Sequence, residues 1–291
     1  MTRRLDTKGN RPVRTGVSNA GLVFVFVSLV LLASVQGAPQ AGGKSTSALL
    51  PAREIIQRAL QRSDWMREQG FEDRLVCEHL SIKEELDDKK EVKSREEILY
   101  RVYPVDEHLY YERVSVNGKA LTDEELKQRK DEFRKEVAAQ TAGPKKDDTE
   151  IKFDEELLSR YKSKLLGVEA INGRPAYALA FEPKQGRLPV RRRIDHALNS
   201  SRGKIWIDQE DFGVVRVQFE LLKPVRLWGG IIGKMGALEG SLEQVRIQDG
   251  VWLPRKVDFY MKGRVLFKSF HQLRKLTWHD ARLAAKQVAS N

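Results

Sequence analysis

The sequence is almost free of cysteine: Cys77 is the single one among 291 residues. One cysteine excludes an intramolecular disulfide, so packing rather than crosslinking has to stabilise the fold. The apolar, strand-like neighbours of Cys77 are typical of a small core residue and not of a reactive thiol. Since 41% of the residues are hydrophobic, the chain has enough apolar material for a real core.

Catalytic and metal-binding motifs are missing as well. None of the five histidines is spaced as in HExxH or in a Cys/His zinc framework, and no Gly-x-Ser-x-Gly elbow occurs. The glycine-rich residues 228–240 resemble a phosphate-binding loop, but Trp228 stands where that loop needs glycine and Met235 where it needs serine or threonine. We therefore predict a protein that is not an enzyme and that holds no metal and no cofactor.

The strongest apolar run, residues 22–35, is shorter than the ~20 residues of a membrane-spanning helix. Five basic side chains precede it, and Val35 and Gly37 occupy acceptable positions for cleavage before Ala38. This layout predicts a signal peptide over residues 1–37 and an exported, periplasmic protein. The alternative is an uncleaved inner-membrane anchor.

Acidic residues are fewer than basic ones, which gives the chain a net charge of +11. Without residues 1–37, which hold five basic side chains and one acidic one, the net charge is +7. Export and the lack of an RNA-binding aromatic motif argue against a nucleic-acid partner. The densest basic cluster, Arg191, Arg192 and Arg193, is either a solvated loop or a contact for the anionic headgroups of phospholipid or lipopolysaccharide.

After the signal peptide, the composition divides the chain into a leader and one domain. Residues 38–50 are rich in Gly, Ser, Ala and Pro, which predicts a flexible leader. Apolar residues then recur at helical spacing up to Gly70 and predict an amphipathic helix over residues 51–69. We predict a single domain over residues 51–280, followed by a C-terminal tail over residues 281–291.

Charged segments interrupt this domain at two places. Residues 83–97 predict a long solvated hairpin, with a short helix over part of them as the alternative. Thr122 and Glu125 have the form of a capping box, which predicts a charged helix and, with its linker, an insert over about residues 122–149 that stands away from the sheet. Asp154 can cap a further short helix. The apolar members of that helix are Leu157, Leu158 and Tyr161.

Turn dipeptides divide the chain into β-hairpins, above all over residues 166–270. Asn-Gly and Asp-Gly supply the positive φ that tight hairpin turns need. We place reversals at Asn117-Gly118, Asn172-Gly173, Asp211-Phe212-Gly213, Asp249-Gly250 and Lys262-Gly263. Reversals at all these positions imply a large antiparallel sheet.

The strands between the turns alternate apolar and polar residues, most cleanly over residues 215–221. The apolar face of that strand consists of Val215, Val217, Phe219 and Leu221. A large sheet with one apolar face needs a cover, and the sequence offers only a few helices to provide it. The predicted fold class is therefore α+β, a large curved antiparallel sheet or half-barrel covered by a few helices.

Incomplete filling of the concave side would leave a cavity for an apolar ligand. The alternation gives the cavity candidates Tyr177, Phe181, Trp206, Phe219 and Phe259. Trp206 points the opposite way if its neighbours on both sides point inwards. The glycine-rich segment supplies candidates for a gate over the cavity, namely Trp228, Ile231, Ile232 and Met235. The alternatives are an ordinary filled core and a plain linker.

Three phrases of the sheet region carry a resemblance to a known family. They are EAINGRPAY at residues 169–177, GKIWID at 203–208 and DGVWLP at 249–254. Together with export and the first helix, they resemble the outer-membrane lipoprotein-sorting protein superfamily, and above all its uncharacterised exported members, over about residues 51–280. That family includes the periplasmic lipoprotein carrier.

The resemblance implies a curved antiparallel half-barrel that holds acyl chains in an apolar cavity and has no catalytic residues. We therefore expect an exported, non-enzymatic binding or carrier protein for a lipid or an acylated protein, with peripheral membrane contact. The alternative is a periplasmic regulatory or scaffold protein with a filled core that binds a protein partner.

Overall fold

The structure is a computed structural model of the chain and describes residues 49–106, 108–139, 153–192, 194–227, 233–247, 250–266 and 268–285. The predicted signal peptide and most of the predicted leader lie outside these residues, as does the linker of the predicted insert. The described part consists of helices and one large antiparallel sheet, so the predicted α+β class with a curved, open sheet is confirmed.

The helices are α1 (Ala52–Glu68), α2 (Asp123–Ala139), α3 (Glu155–Ser159) and α4 (Asp195–Leu198). The strands are β1 (Leu75–Leu86), β2 (Val92–Val105), β3 (His108–Val116), β4 (Lys119–Ala120), β5 (Tyr161–Ile171), β6 (Arg174–Pro183), β7 (Ser201–Asp208), β8 (Val214–Leu221), β9 (Val225–Leu227), β10 (Gly233–Arg246), β11 (Trp252–Val265) and β12 (Lys268–Leu283). They form one sheet in the order β4-β3-β2-β1-β12-β11-β10-β8-β7-β6-β5, with β9 paired to β10. Because β12 pairs with β1, the first and last strands of the sequence meet inside the sheet.

Most of the predicted reversals are confirmed. Asn172 and Gly173 have φ values of 50° and 78° in the turn between β5 and β6, and Asn117 has a φ of 50° between β3 and β4. Phe212, with a φ of 60°, turns the chain between β7 and β8. Gly250 has a φ of 72° before β11, while the residue before it lies outside the described residues.

The reversal predicted at Lys262-Gly263 is wrong. Gly263 lies inside β11, directly opposite Phe270 of β12. A Cβ atom on Gly263 would stand 2.5 Å from Cζ of Phe270, so this glycine makes room for a ring and does not turn the chain. The strand continues to Val265, and the reversal follows at Leu266, which has a φ of 53°.

The charged hairpin predicted for residues 83–97 is formed by β1 and β2. Its turn is organised by Asp87, whose carboxylate accepts hydrogen bonds from the backbone N–H of Lys89 at 2.8 Å and of Glu91 at 2.9 Å. Such local bonds are the usual way in which aspartate stabilises a turn. The alternative of a short helix in this segment is therefore wrong.

One face of the sheet, here called the inner face, carries the core and three of the helices. A row of directly paired residues crosses it from β5 to β12 and is apolar at every position. The row consists of Leu165, Leu179, Ile205, Val217, Leu242, Val257 and Leu276. Residues paired across antiparallel strands share a face, so this register creates the continuous apolar surface that the alternation predicts.

A second row on the inner face alternates phenylalanine with glycine, and we call it the Phe–Gly row. From β6 to β11 it consists of Phe181, Gly203, Phe219, Gly240 and Phe259. A Cβ atom on Gly203 would lie 2.7 Å from Cζ of Phe181, and one on Gly240 would lie 2.8 Å from Cζ of Phe219. The rings therefore cover the glycines of neighbouring strands, which lets the backbone approach closely.

Helix α1 confirms the prediction for residues 51–69 and packs on the inner face. Its buried residues, Ile55 and Ala59, lie one turn apart and contact the same apolar cluster as Leu179 and Ile207. The spacing of four residues places both side chains on one face of the helix. Helix α1 thus covers the part of the sheet formed by β6, β7 and β8.

Two arginines attach α1 to turns of the sheet. The Arg58 guanidinium lies 5.0 Å from the centre of the Phe212 ring in the β7–β8 turn. Arg62 donates a hydrogen bond to the carbonyl of Gly250, just before β11. These contacts hold the helix across two hairpin ends and leave its position well defined.

Helix α2 begins with the predicted capping box. The Glu125 N–H donates to Oγ1 of Thr122 at 3.3 Å, and the Thr122 N–H donates to Oε2 of Glu125 at 2.8 Å. The helix does not stand away from the sheet as predicted, because Phe133 packs on Tyr110 of β3 with the ring centres 4.8 Å apart. It lies beside β3, close to the sheet edge that the short β4 forms.

The other face of the sheet carries a smaller apolar cluster around Trp206 and Trp252. Val215 belongs to this cluster, although the alternation predicts that it shares a face with Val217. A bulge in the pairing of β7 with β8 shifts the register there, so that Val214 instead packs beneath α1. Bulges add one residue to a strand and reverse the faces beyond it, which the pattern of apolar residues does not reveal.

Candidate functional site

A cavity of about 150 Å³ lies between the inner face and the helices, and we call it the apolar cavity. Ile56 of α1, Leu157 and Leu158 of α3, and Ala197 and Leu198 of α4 form its helical side. The remaining lining residues are Phe153, Tyr161, Ser163, Phe181, Ile194, Ser201, Ile205, Val217, Phe219, Leu238 and Leu242. Three separate helices and five strands therefore enclose one space.

Two of the three hydroxyl groups in the wall are engaged with the backbone. Tyr161 donates to the carbonyl of Leu198 at 2.7 Å, and Ser201 donates to the carbonyl of Ala197 at 2.8 Å. Burial raises the pKa of Tyr161 to about 12, so this hydroxyl keeps its proton and remains a donor. The cavity consequently offers an apolar ligand a surface with little competition from polar groups.

Helix α3 is formed where the sequence predicts it. The Asp154 carboxylate accepts a hydrogen bond from the Leu157 N–H at 2.8 Å and thus caps the helix. The helix ends at Ser159, however, and Tyr161 is already the first residue of β5. Tyr161 still lines the cavity, because the strand begins directly beneath the helix.

A buried charge cluster joins α3 to α4 above the cavity. Arg160, which is 1% exposed, lies 3.2 Å through Nη2 from the carboxylate of Asp195, which is 0% exposed. Nη1 of Arg160 also donates to the carbonyl of Pro189 and to Oδ1 of Asn199, both at 2.7 Å. The end of one short helix is thereby fixed to the beginning of the other.

The Asp195 carboxylate remains ionised in this cluster. Burial alone would raise its pKa, but the backbone N–H groups of Arg192 and Arg191 donate to it at 2.9 and 2.7 Å. These bonds and the nearby guanidinium of Arg160 outweigh the burial, so the pKa of Asp195 lies below its usual value. The cover of the cavity therefore contains a stable internal ion pair.

The five aromatic candidates for the cavity lie at different places. Phe181 and Phe219 line the apolar cavity. Tyr177 lies on the inner face in the cluster beneath α1, and Phe259 belongs to the larger core cluster around β11 and β12. Trp206 lies on the other face, where its Nε1 donates to the Glu169 carboxylate at 2.9 Å.

Of the gate candidates, Met235 lies on β10 and packs against the larger core cluster. Trp228, Ile231 and Ile232 lie outside the described residues. The apolar character of Met235 alone indicates a core position as readily as a gate.

The basic cluster lies immediately before α4. Arg191 is 3.7 Å from the Glu156 carboxylate, and Arg192 is 3.4 Å from that of Asp195, while Arg193 lies outside the described residues. Arg191 has a side chain that is 74% exposed, so its guanidinium remains accessible to solvent despite this contact.

Sequence reasoning missed the part of the cavity that α4 forms. Ala197 and Leu198 of the four-residue helix α4 line it, as does Ile194, the residue just before this helix, and all three follow a basic run. Ile194 and Leu198 are spaced by four residues, which is the one signal that could have indicated a buried helical turn there. The contribution of Ser163 and Ser201 carries no hydrophobic signal at all.

The described residues hold no arrangement that suggests catalysis. No group of three or more His, Cys, Asp and Glu side chains that could hold a metal ion occurs among them. Cys77 is 3% exposed in the core, and burial raises the pKa of its thiol to about 12, so the thiol stays protonated. Within the same ranges, none of the helices has both the length and the apolar character to cross a membrane.

Comparisons with known proteins return solved structures, whereas no family model and no curated protein matches the chain. An outer membrane lipoprotein-sorting protein domain from Vibrio parahaemolyticus is 11% identical, with a TM-score of 0.34, over 82% of this chain and 96% of that one. A LolA superfamily protein from Nitrosomonas europaea is 14% identical, with a TM-score of 0.32, over the same shares of the two chains. The MucA/MucB complex of Pseudomonas aeruginosa matches at 15% identity and a TM-score of 0.22, over 77% of this chain and 99% of that one. The first two of these names belong to the superfamily that the three sequence phrases resemble.

Proposed function

We propose that the protein is an exported, non-enzymatic binding or carrier protein for a lipid or for the acyl chain of a lipoprotein. The observation that supports this function is the apolar cavity between the inner face and helices α1, α3 and α4. Each CH₂ group that leaves water for such a space contributes about 0.8 kcal/mol. The periplasm is the compartment that the N-terminal sequence predicts, and a protein with this cavity would have lipid ligands at hand there.

The volume of the cavity limits how much of a ligand it encloses. At about 150 Å³ it matches an engineered apolar cavity, also of about 150 Å³, that binds benzene. The end of an acyl chain therefore fits, whereas pockets for whole small molecules measure about 300–1,000 Å³. A longer stretch of chain requires α3 and α4 to move away from the sheet.

In this proposal, Phe181 and Phe219 contact the acyl chain because they line the cavity. Tyr177 and Phe259 support the inner face beside it. Arg191, which precedes α4 and is largely exposed, contacts an anionic headgroup at the membrane surface, together with Arg192 and Arg193.

The second candidate function is that of a regulatory or scaffold protein that binds a protein partner. The observation that favours it is the small size of the cavity, since much of the inner face is covered by packed side chains. Helix α2 would then present its charged, exposed residues to the partner.

The test uses the chain from Ala38 onwards and the uncharged apolar fluorophore N-phenyl-1-naphthylamine. Ser163 and Leu166 both lie on β5, but only Ser163 lines the cavity, and Leu166 is 47% exposed. Ser163→Trp fills the space and should weaken probe binding by about tenfold or more, which corresponds to at least about 1.4 kcal/mol. Leu166→Trp adds an indole of the same size outside the cavity and should leave binding unchanged.

Native mass spectrometry of the freshly purified protein should also show co-purified lipid. A wild-type protein that carries no lipid and does not bind the fluorophore would contradict the proposed function and favour the protein-binding candidate. If Ser163→Trp lowers the melting temperature by more than Leu166→Trp does, Leu158→Ala provides a second variant. It enlarges the cavity and should preserve or strengthen binding of the probe.

A further inference from the structure

A second cleft lies at the other end of the sheet, between α2 and strands β2 and β3, and we call it the α2 cleft. It has a volume of about 280 Å³. Its lining residues are Tyr100, Leu109, Tyr110, Tyr111, Arg113, Arg129, Glu132 and Phe133. None of them lines the apolar cavity, so the two spaces are separate.

Two arginines stand at this cleft without a carboxylate partner. Neither Arg113 of β3 nor Arg129 of α2 forms an ion pair with a described residue. Arg113 lies directly opposite Tyr100 in the pairing of β2 with β3, and its Nε is buried without a hydrogen-bond partner. A buried donor that has lost water and gained no acceptor is costly, so an acceptor supplied by a ligand would stabilise it.

Two other partly exposed arginines of the sheet, Arg174 and Arg246, do have carboxylate partners. Arg174 holds the buried Asp208 carboxylate through two hydrogen bonds of 2.7 and 2.9 Å. Arg246 donates to Asp211 at 2.7 Å. Against these examples, Arg113 has the position of a guanidinium that lacks its anion.

The remaining polar groups of the cleft suit an anion with several oxygens. Tyr110 keeps its proton because burial, followed by the charge of Glu112 and then that of Glu132, raises its pKa. Tyr100 adds a further hydroxyl at the wall. Glu132 is the single acidic side chain among the lining residues, against two arginines, so the cleft retains a net positive charge.

We propose that the α2 cleft binds a phosphate group, with Arg113 and Arg129 as the charged ligands and tyrosine hydroxyls as additional donors. The planar guanidinium matches two oxygens of a phosphate at once, and phosphate offers more acceptor oxygens than a carboxylate does. One side of α2 carries Arg129, Glu132 and Phe133, which are spaced by three and four residues. The ring of Phe133 packs on Tyr110 and holds this side of the helix against β3, which places Arg129 at the cleft. The group comes either from free phosphate or from the headgroup of an anionic phospholipid.

The experiment measures binding of inorganic phosphate by isothermal titration calorimetry and binding to vesicles by co-sedimentation. One vesicle preparation contains phosphatidylcholine alone and the other contains phosphatidylglycerol as well. Arg113→Gln and Arg129→Gln should each weaken the binding by about tenfold, because each removes charge-assisted hydrogen bonds. Added sodium chloride should weaken it in the wild type.

Two control variants remove the same charge elsewhere. Lys127→Gln and Lys135→Gln both change exposed residues of α2 that do not line the cleft. Both should bind as the wild type does. Arg113→Gln should not lower the melting temperature, because it removes a buried nitrogen that has no partner. If Arg113 served only to stabilise the fold, the substitution would lower the melting temperature.

The calorimetric and the vesicle experiments together distinguish the source of the phosphate group. Binding of inorganic phosphate identifies a site for the free ion, and binding to phosphatidylglycerol vesicles alone identifies a headgroup site. Binding of neither by the wild type, or equal losses in Arg113→Gln and Lys127→Gln, overturns the proposal. The fluorophore assay of the apolar cavity is independent of this result, since the two sites share no residue.

Discussion

The inner face of the sheet has two halves that bury different kinds of side chains. From β5 to β11, the paired rows consist of aliphatic residues and of the Phe–Gly row. Beyond β11, the second row continues into Arg274 of β12, Lys83 of β1 and Glu96 of β2. The first half is an apolar surface beneath helices, and the second is a mixed surface of aromatic and charged groups.

The aromatic part of the second half is centred on His79. Its ring lies 4.5 Å from that of Trp278, 5.6 Å from that of Tyr100 and 6.0 Å from that of Tyr111. Nδ1 of His79, Nε1 of Trp278 and Nε of Arg274 are buried without hydrogen-bond partners. The second half therefore contains buried polar atoms that have no hydrogen-bond partner, whereas the first half contains a cavity lined by few polar atoms.

The difference teaches that one continuous sheet can carry two unlike surfaces on the same face. The change occurs between β11 and β12, next to the seam where β12 pairs with β1 and the end of the sequence meets its beginning. Residues on the two sides of that seam are about 200 positions apart, for example Glu84 and Lys275, whose side chains lie 3.2 Å apart. The apolar cavity and the α2 cleft lie on opposite sides of this seam.

The largest effect is expected at the cover of the apolar half. Asp195→Ala removes the fully buried counterion of Arg160 and leaves it only the half-exposed Glu156 carboxylate at 3.0 Å, so it should lower the free energy of unfolding by about 3–4 kcal/mol, the lower part of the range for breaking a buried ion pair. Urea unfolding followed by circular dichroism measures it. Arg191→Ala removes an exposed partner of Glu156 in the same region and should change stability by less than about 1 kcal/mol. Equal effects of the two variants would show that the buried pair does not hold α3 to α4.

The next effect distinguishes the aromatic half by its response to acid. Burial lowers the pKa of His79 to about 4, despite a hydrogen bond to the Thr277 backbone that raises it. The unfolded chain, with an ordinary histidine pKa of about 6.5, binds the proton more readily. The contribution of His79 to the free energy of unfolding is therefore fully present above about pH 6.5. It decreases as the pH drops towards 4, by up to about 3 kcal/mol.

His79→Phe should remove this part of the acid sensitivity, because phenylalanine has no proton to bind and fits among the neighbouring rings. His108→Phe serves as the control, since His108 is exposed at the start of β3. Urea unfolding at a series of pH values from 4 to 7 gives the comparison. If the wild type and His79→Phe lose stability in parallel over that range, the burial of a neutral imidazole is not the cause.

How far the sequence predicted these two halves depends on which physical signal each carries. Turn chemistry and alternation are local, so the hairpins at Asn117 and Asn172 and the faces of most strands could be predicted. The bulge at Val215 and the strand glycine Gly263 could not, because both depend on the partner strand. For the same reason the pairing of β12 with β1, and with it the aromatic half, was invisible in the sequence.

The candidate site divides in the same way. Phe181 and Phe219 were predictable from alternation, and α3 was predictable from its cap at Asp154. The contribution of α4 to the cavity wall was not predictable, because a helix of four residues gives too short a periodic signal. Arg113 stood out in no pattern, since the absence of a carboxylate partner is a property of the folded chain alone.

The smallest effect concerns the Phe–Gly row, which distinguishes the apolar half from the other. Gly240→Ala brings a Cβ atom to 2.8 Å from both the Asp258 carbonyl oxygen and Cζ of Phe219, so backbone or ring must move. We expect it to lower the free energy of unfolding by about 1–3 kcal/mol, the usual cost of overpacking. Gly236→Ala on the same strand meets only the Lys262 carbonyl oxygen at 3.4 Å and should cost less. Since Phe219 also lines the apolar cavity, Gly240→Ala should in addition weaken binding of the fluorophore, and a loss of stability without any change in that binding would separate the Phe–Gly row from the site.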